Sequence, residues 1–178
     1  MTTTEQQTTG IPTGTWNIDP VHSSVGFAVS YSGFGTFRGS FDEFDAKLVD
    51  GSIEGSAKVA SVRIDDPNFA GHLQSPDFFD AERNPELRFT STSIERDGDQ
   101  LTIQGELTLR GETKNVTITG AFAGPSTDPY GNERIAFDVE TSVDRTEYGI
   151  SWNADLPTGE PALGNDVTIT ANLAFVQA

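Results

Sequence analysis

Residues 101–122 read LTIQGELTLRGETKNVTITGAF and contain the pattern that decides the fold. Apolar side chains recur at nearly every second position from Leu101 to Leu109, and the alternation resumes at Val116 after a short turn. A period of two with one polar face is typical of antiparallel strands that bury a single face. This stretch therefore predicts two neighbouring antiparallel strands.

The same alternation continues on both sides of this stretch. Asp97-Gly98 is typical of a hairpin turn and joins residues 87–96 to residues 101–109. Further strands are predicted at residues 15–18, 24–31, 36–44, 53–64, 135–143 and 167–175, with the inward face of 53–64 left open. Antiparallel strands in this number, each with one apolar face, have to close into a barrel or stack as a sandwich. The sequence thus predicts an all-β protein.

One segment, at about residues 68–82, lacks the alternation and predicts a short helical insert. Ser75 as an N-cap, followed by Pro76, is typical of a helix start. The segment also carries three aromatic residues without a local core, namely Phe69, Phe78 and Phe79. These rings have to press onto the barrel, either as a plug that closes the core or as a gate over an apolar ligand entrance.

Small residues interrupt otherwise large inward rows at Gly105, Gly120 and Ala171. They favour a barrel with an elongated apolar cavity, because such gaps leave interior space that a ligand can fill. Glycine kinks that allow a barrel to curve explain the same residues equally well. The residues alone leave both interpretations open.

The composition excludes several functions. The 178 residues include 11 Lys and Arg against 27 Asp and Glu, a net charge of −16. Such a surface repels phosphate backbones, so no nucleic-acid partner is expected. No apolar run is long enough for an integral membrane segment, and the absence of cysteine excludes thiol catalysis. Two histidines far apart in the sequence, His22 and His72, are weak evidence for a metal site, and no metal ion is expected.

The chain is expected to form one domain with a short tail. Residues 1–14 predict a disordered polar N-terminal tail, and residues 15–178 predict a single β-barrel domain. The tail lacks the basic and apolar regions of a secretory signal, which favours a cytoplasmic protein. The acidic surface disfavours close self-association at low salt but still permits a homodimer.

Four sequence blocks resemble one known family. They are WNIDPVHSSVGF at residues 16–27, HLQSPDFFD at 72–80, GELTLRGETK at 105–114 and RTEYGI at 145–150. Each block is modest alone, but in this order and spacing they resemble the YceI-like family across about residues 15–176. The chain departs from that family at Tyr31, where members commonly carry a histidine in the second strand.

The resemblance implies an extended antiparallel lipocalin-like β-barrel that holds a long polyisoprenoid chain in its lumen. It also implies a binding protein rather than an enzyme, because the family has no generally established catalytic activity. The expected partner is then an isoprenoid lipid, including an isoprenoid quinone or a precursor. No further cofactor is expected.

Strand parity within such a barrel predicts which side chains contact the ligand, although a slip by one residue would invert a whole row. Contacts with the lipid tail are expected from Phe27, Val29, Phe37, Phe89, Ile103, Leu107, Phe137 and Val139. Contacts with the headgroup or at the mouth are expected from His22, Tyr31, His72, Tyr148 and Trp152. The gate is expected to consist of Phe69, Phe78 and Phe79.

Two other functions fit the same sequence. One is an enzyme that acts on a small apolar substrate in the same cavity, with His22 or Tyr148 as the proton donor. The other is a stress-related protein whose barrel is filled by its own side chains and holds no lipid. The amount of empty space inside the barrel and the residues that border it separate these alternatives.

Overall fold

The computed structural model describes residues 10–32, 35–64 and 67–178. The strands are β1 Thr15–Ile18, β2 Ser24–Tyr31, β3 Gly35–Phe41, β4 Phe44–Val49, β5 Ser52–Lys58, β6 Val62–Arg63, β7 Glu86–Asp97, β8 Gln100–Leu109, β9 Glu112–Thr127, β10 Glu133–Asp144 and β11 Leu163–Gln177. One α-helix, α1 Pro67–Leu73, lies between β6 and β7. Short 3₁₀ turns occupy Pro20–His22, Val59–Ser61 and Arg145–Tyr148.

These strands form a closed antiparallel barrel. From β7 to β11 each strand pairs with the next one along the chain. The barrel closes where β11 pairs with β1 at its C-terminal end and with β2 along the rest of its length. In the described residues, three positions in the wall are each occupied by two short strands, namely β1 with β2, β3 with β4, and β5 with β6. Together with β7 to β11 they give a barrel of eight strand positions. The predicted lipocalin-like all-β barrel is confirmed.

Three of the eight strand positions are bent rather than continuous, which differs from the predicted single strands at 36–44 and 53–64. In the latter, the 3₁₀ turn Val59–Ser61 separates β5 from β6. Ser61 Oγ stabilises this bend by donating to Lys58 O at 2.7 Å and by accepting from Glu43 N at 2.9 Å. A serine that bonds to nearby backbone groups offers the chain an alternative to the strand ladder.

The ordered contacts begin before the predicted domain boundary. Residues 1–9 of the predicted tail lie outside the described part of the chain, whereas within residues 10–14 Ile11 is buried and Pro12 is half-buried. Ile11 is buried in the core, and Arg96 Nη1 donates to Gly10 O at 3.0 Å. A single apolar residue thus anchors this polar stretch, and the predicted domain boundary at residue 15 stays a prediction.

The helical insert fills a gap in the barrel wall. In the described residues β7 pairs with β5, whereas β6 pairs with β3, so the wall is open beside β6. The helix α1 and the turns that follow it to residue 83 cover this gap. Ser75 Oγ accepts from Asp77 N at 3.3 Å, as a cap would, but the chain then continues in turns rather than in the helix that a start at Ser75 predicts. Within the described residues no helix is long and apolar enough to cross a membrane.

Candidate functional site

The interior of the barrel divides into two ends with different packing. The packed end lies where β1 meets β11, and its buried side chains include Trp16, Leu48, Leu101, Phe137 and Phe175. The rings of Phe137 and Phe175 meet edge to face, with centroids 5.6 Å apart. The cavity end lies beneath α1 and includes Phe41, Leu73, Phe78, Val143 and Ile150.

An apolar cavity of about 210 Å³ runs from the cavity end towards the packed end. Along β11 its wall extends from Leu163 to Leu173, which corresponds to roughly 30 Å of strand. Other bordering side chains include Val25, Phe41, Val143, Val167 and Ile169. A narrow space of this length, with almost no polar atoms in its wall, suits a long apolar chain.

The eight side chains that strand parity assigns to the tail all border this cavity. They are Phe27, Val29, Phe37, Phe89, Ile103, Leu107, Phe137 and Val139. Parity identifies them because strands that line a barrel alternate between interior and exterior positions. Their contact with a ligand stays a prediction.

The two glycines in the inward rows are not the source of the cavity. A Cβ atom on Gly105 would clash with the Phe89 ring and would lie 2.5 Å from Thr90 O. A Cβ atom on Gly120 would clash with the backbone of β10, including Val139 Cα at 2.6 Å. The interpretation of these glycines as open space is therefore wrong, because neighbouring atoms already occupy that space. Ala171 does border the cavity.

The three gate phenylalanines all border the cavity at the cavity end. The Phe69 ring lies 4.4 Å from that of Phe37, and the Phe79 ring lies 6.5 Å from that of Phe27. Phe78 is buried between the cavity and the aromatic residues outside it. These rings therefore form the roof of the cavity, and the opening of that roof stays a prediction.

His72 and Trp152 form a second aromatic layer above this roof. Their rings meet edge to face at 4.6 Å, and both contact Phe78, at 4.9 and 5.4 Å respectively. His72 Nε2 also lies 3.0 Å from Asp77 Oδ2. These contacts hold α1 against the loop that contains Trp152, but neither residue borders the cavity.

The other three side chains assigned to the head or mouth also lie outside the cavity. Tyr31 lies at the end of β2, is 48% exposed and does not border the cavity. Tyr148 is only 1% exposed, and its hydroxyl is buried without a partner in the described part of the chain. Burial raises the pKa of the Tyr148 phenol, with a further contribution from Glu147. Neither hydroxyl faces the cavity.

His22 lies at the packed end, far from the other predicted headgroup residues. It precedes β2, whereas Tyr31 ends that strand, so roughly 25–30 Å of chain separates them. Its Nδ1 lies 2.7 Å from Asp19 Oδ2, and Arg134 Nη1 donates to the same oxygen at 2.8 Å. Arg134 Nε also donates to Asp128 Oδ2 at 2.6 Å. The structure thus brings His22 together with neither Tyr31 nor His72.

Arg134 and its partners form an ionic clasp at the packed end. The Arg134 guanidinium, as the main cause, lowers the pKa of Asp19 and of Asp128 from the ordinary 3.8 to about 2. The two carboxylates in turn raise the pKa of Arg134. The charge of each member is stabilised by the others, which ties the loop before β10 to the start of the barrel.

Arg145 borders the cavity and is missing from the sequence-based site. It is 4% exposed, and it follows the inward row of β10 formed by Ile135, Phe137, Val139, Thr141 and Val143. The same alternation therefore contained the signal, since Arg145 has the parity of that row. A charged side chain at such a position is unusual, because buried arginine is rare unless it is paired.

Three ionisable side chains among the described residues border the cavity, namely Asp45, Arg88 and Arg145. Within the described residues neither a histidine nor a tyrosine borders it. Across the same part of the chain there is no cluster of three or more His, Cys, Asp or Glu side chains that could hold a metal ion. Of these charged side chains at the cavity wall, only Arg145 is buried.

Fold and site together define a lipocalin-like barrel with an internal apolar cavity roofed by a helical insert. The chain belongs to the YceI-like family, whose domain model matches residues 16–175. Protein YceI of Escherichia coli O157:H7 is 35% identical over 136 residues, which cover 72% of this chain and 71% of that protein.

Two solved structures are similar in fold. BcnA of Burkholderia cenocepacia superposes with a TM-score of 0.76 at 22% identity, covering 88% of this chain and 98% of that one. A polyisoprenoid binding domain from Saccharophagus degradans, implicated in plant cell wall breakdown, superposes with a TM-score of 0.68 at 13% identity. That alignment covers 92% of this chain and 98% of the other.

Proposed function

We propose that this protein binds a polyisoprenoid lipid in its barrel cavity and acts as a carrier or store for it. The observation that carries the proposal is the continuous apolar cavity, which is closed by the packed end at one side and by the gate phenylalanines at the other. Burying an apolar chain there contributes about 0.8 kcal/mol per methylene. The polyisoprenoid class is supported by the name of the Saccharophagus degradans domain, and an isoprenoid quinone or a precursor belongs to that class.

The enzymatic alternative is less well supported. Its proposed proton donors, His22 and Tyr148, both lie outside the cavity. A general acid has to lie within hydrogen-bond reach of its substrate. The alternative of a barrel filled by its own side chains is disfavoured by the cavity itself, since an unfilled apolar space costs stability. A cytoplasmic location and a homodimer stay predictions.

Mass spectrometry of a solvent extract from the purified protein tests the proposal directly. We expect a prenyl lipid in an amount close to one per protein chain. A matched pair of variants then tests the location of the lipid. Ala171→Leu places a larger side chain at the cavity wall, whereas Ala136→Leu makes the same change at an exposed position on β10.

Ala171→Leu should weaken the binding of a fluorescent farnesyl probe by tenfold or more, because its side chain competes with the ligand for space. Ala136→Leu should leave the affinity unchanged, and both variants should keep the far-ultraviolet spectrum of the barrel. An extract without lipid, together with no measurable probe binding, would contradict the proposal. Equal affinities of the two variants would place the lipid elsewhere.

A further inference from the structure

Arg145 is a buried cation without an anionic partner. Its Nε donates to Gly164 O at 2.9 Å, and its Nη1 donates to Ile150 O at 2.9 Å and to Trp152 O at 2.8 Å. Its Nη2 is buried and has no acceptor in the part of the chain that the structure describes. No carboxylate within the described residues lies at ion-pair distance from it.

The adjacent acid offsets this charge only in part. The carboxylate of Asp144 forms no ion pair with Arg145; it is partly exposed and accepts from Thr146 N at 2.9 Å, where it caps the 3₁₀ turn. Burial lowers the pKa of Arg145, although an arginine remains protonated in proteins. A buried charge that lacks a counter-ion and leaves one donor open is destabilising unless something else satisfies it.

The position of Arg145 relates this open donor to the cavity. Arg145 borders the cavity, and the three carbonyl groups that accept from it belong to the start of β11 and to the loop that contains Trp152. Trp152 in turn lies against Phe78 in the roof. Arg145 is therefore at the cavity end, just below the gate, and three hydrogen bonds hold its guanidinium plane in a fixed orientation.

We propose that Nη2 of Arg145 donates to an oxygen acceptor at the polar end of the bound lipid. The headgroup then lies inside the barrel beneath the gate, and the apolar tail extends towards the packed end. This inference rests on the proposed function and deepens it, since it specifies the orientation and the chemistry of the ligand.

The acceptor is a single carbonyl or carboxylate oxygen on a prenyl chain. One open nitrogen matches one such oxygen, and hydrogen bonds to a charged donor are the stronger kind. A diphosphate fits less well, because it would bring several negative charges into an apolar site that offers one buried cation. The carbonyl and the carboxylate share the acceptor oxygen, and the experiment below separates them.

Infrared spectroscopy of a bound ketone tests this contact without a mutation. Farnesylacetone labelled with carbon-13 at its carbonyl group is added to the purified protein after the endogenous lipid has been extracted. We expect the carbonyl band to move to a lower wavenumber than in an alkane solvent, because a charged donor weakens the bond. A band at the position found in the alkane would overturn the proposal.

Affinities of matched probes provide the second test. The ketone is compared with the hydrocarbon of the same skeleton in the wild type, in Arg145→Lys and in the control Arg110→Lys. Arg110 donates to Gly149 O and Pro76 O near the same loop but does not border the cavity. Arg145→Lys should reduce the preference for the ketone over the hydrocarbon by roughly tenfold. Arg110→Lys should leave that preference unchanged.

Further outcomes separate the possibilities. If farnesoic acid shows a larger Arg145-dependent preference than the ketone, the proposal holds with an anionic headgroup, and the reverse order indicates a neutral one. If Tyr31→Phe changes the preference for the ketone over the hydrocarbon and Arg145→Lys does not, the proposed role of Arg145 is overturned and the headgroup lies at the rim.

Should Arg145→Lys fail to fold, the infrared band of the wild type decides alone. Binding of neither probe would overturn the proposed function as well, whereas binding of both with an unshifted band would overturn this inference only.

Discussion

The packed end and the cavity end are built from the same strands but use them differently. At the packed end, β1 and β4 complete the wall, and aromatic rings fill the interior with edge-to-face contacts. At the cavity end, β6 separates from β7, and a helix with its turns replaces the missing part of the wall. One end is therefore held by backbone hydrogen bonds across strands, whereas the other is closed mainly by side-chain contacts.

This difference shows how a single barrel can be both stable and able to admit a ligand. Leu101 and Phe175 at the packed end are almost completely buried and have neighbours on all sides. Phe27, Phe89 and Leu107 at the cavity are only partly buried and lack neighbours on the cavity side. A side chain beside a void gives up part of its dispersion energy, which a ligand can restore.

The largest expected effect is a difference in the free energy of unfolding between two alanine variants of leucines on β8. Leu101→Ala at the packed end should lower the free energy of unfolding by about 3–4 kcal/mol, since it removes a fully enclosed side chain and leaves a new void. Leu107→Ala should cost only about 1–2 kcal/mol, because the cavity already borders this side chain. Urea denaturation of both ligand-free variants measures the two values. Equal losses would mean that the two ends are packed alike.

An effect of intermediate size is expected on the rate of amide hydrogen exchange in the helical insert. Amide hydrogens of residues 67–82 should exchange at least tenfold faster than those of residues 101–105 in the ligand-free protein, because the insert lies outside the barrel's strand ladder. A bound farnesyl probe should slow exchange in the insert and leave residues 101–105 unchanged. Asp77→Asn perturbs the insert without changing the cavity wall, since it removes the carboxylate partner of His72 in the outer aromatic layer. Unchanged protection of the insert on ligand binding would show that it is a fixed plug.

The smallest expected effect is on the Tm and comes from loss of the ionic clasp at the packed end. Asp19 and Asp128 have folded-state pKa values of about 2, below the ordinary 3.8, so their stabilising effect is present above about pH 4 and is lost as the pH falls towards 2. Arg134→Met should lower the Tm by a few degrees at about pH 6, and its difference from the wild type should close near pH 2. Arg83→Met is the control, because Arg83 is highly exposed and lies 4.0 Å from its acidic neighbour.

A constant difference in Tm between Arg134→Met and the wild type across this pH range would contradict the clasp. It would show that Arg134 stabilises the packed end through its aliphatic stem rather than through its charge. Arg83→Met should match the wild type at every pH.

The strand pattern predicted which side chains border the cavity, whereas the residues chosen for its head or mouth lie outside it. All eight tail residues border the cavity, because the parity of a strand is a local property that the sequence displays directly. The five head or mouth residues do not, because they were selected by side-chain chemistry without knowledge of where each strand end lies. His22 and His72 both look suitable in the sequence, yet they belong to opposite ends of the barrel.

The sequence by itself determined that this chain forms an antiparallel barrel of the YceI-like family, that most of its strands have one apolar face and that an insert with three phenylalanines interrupts the pattern. Only the tertiary structure decided that Gly105 and Gly120 accommodate close neighbours, and that the cavity has a roof of two aromatic layers. It also placed the buried cation Arg145 beneath that roof. The physical reason is that alternation is set by neighbours along the chain, whereas space and unpaired polar atoms arise from residues that meet across the barrel.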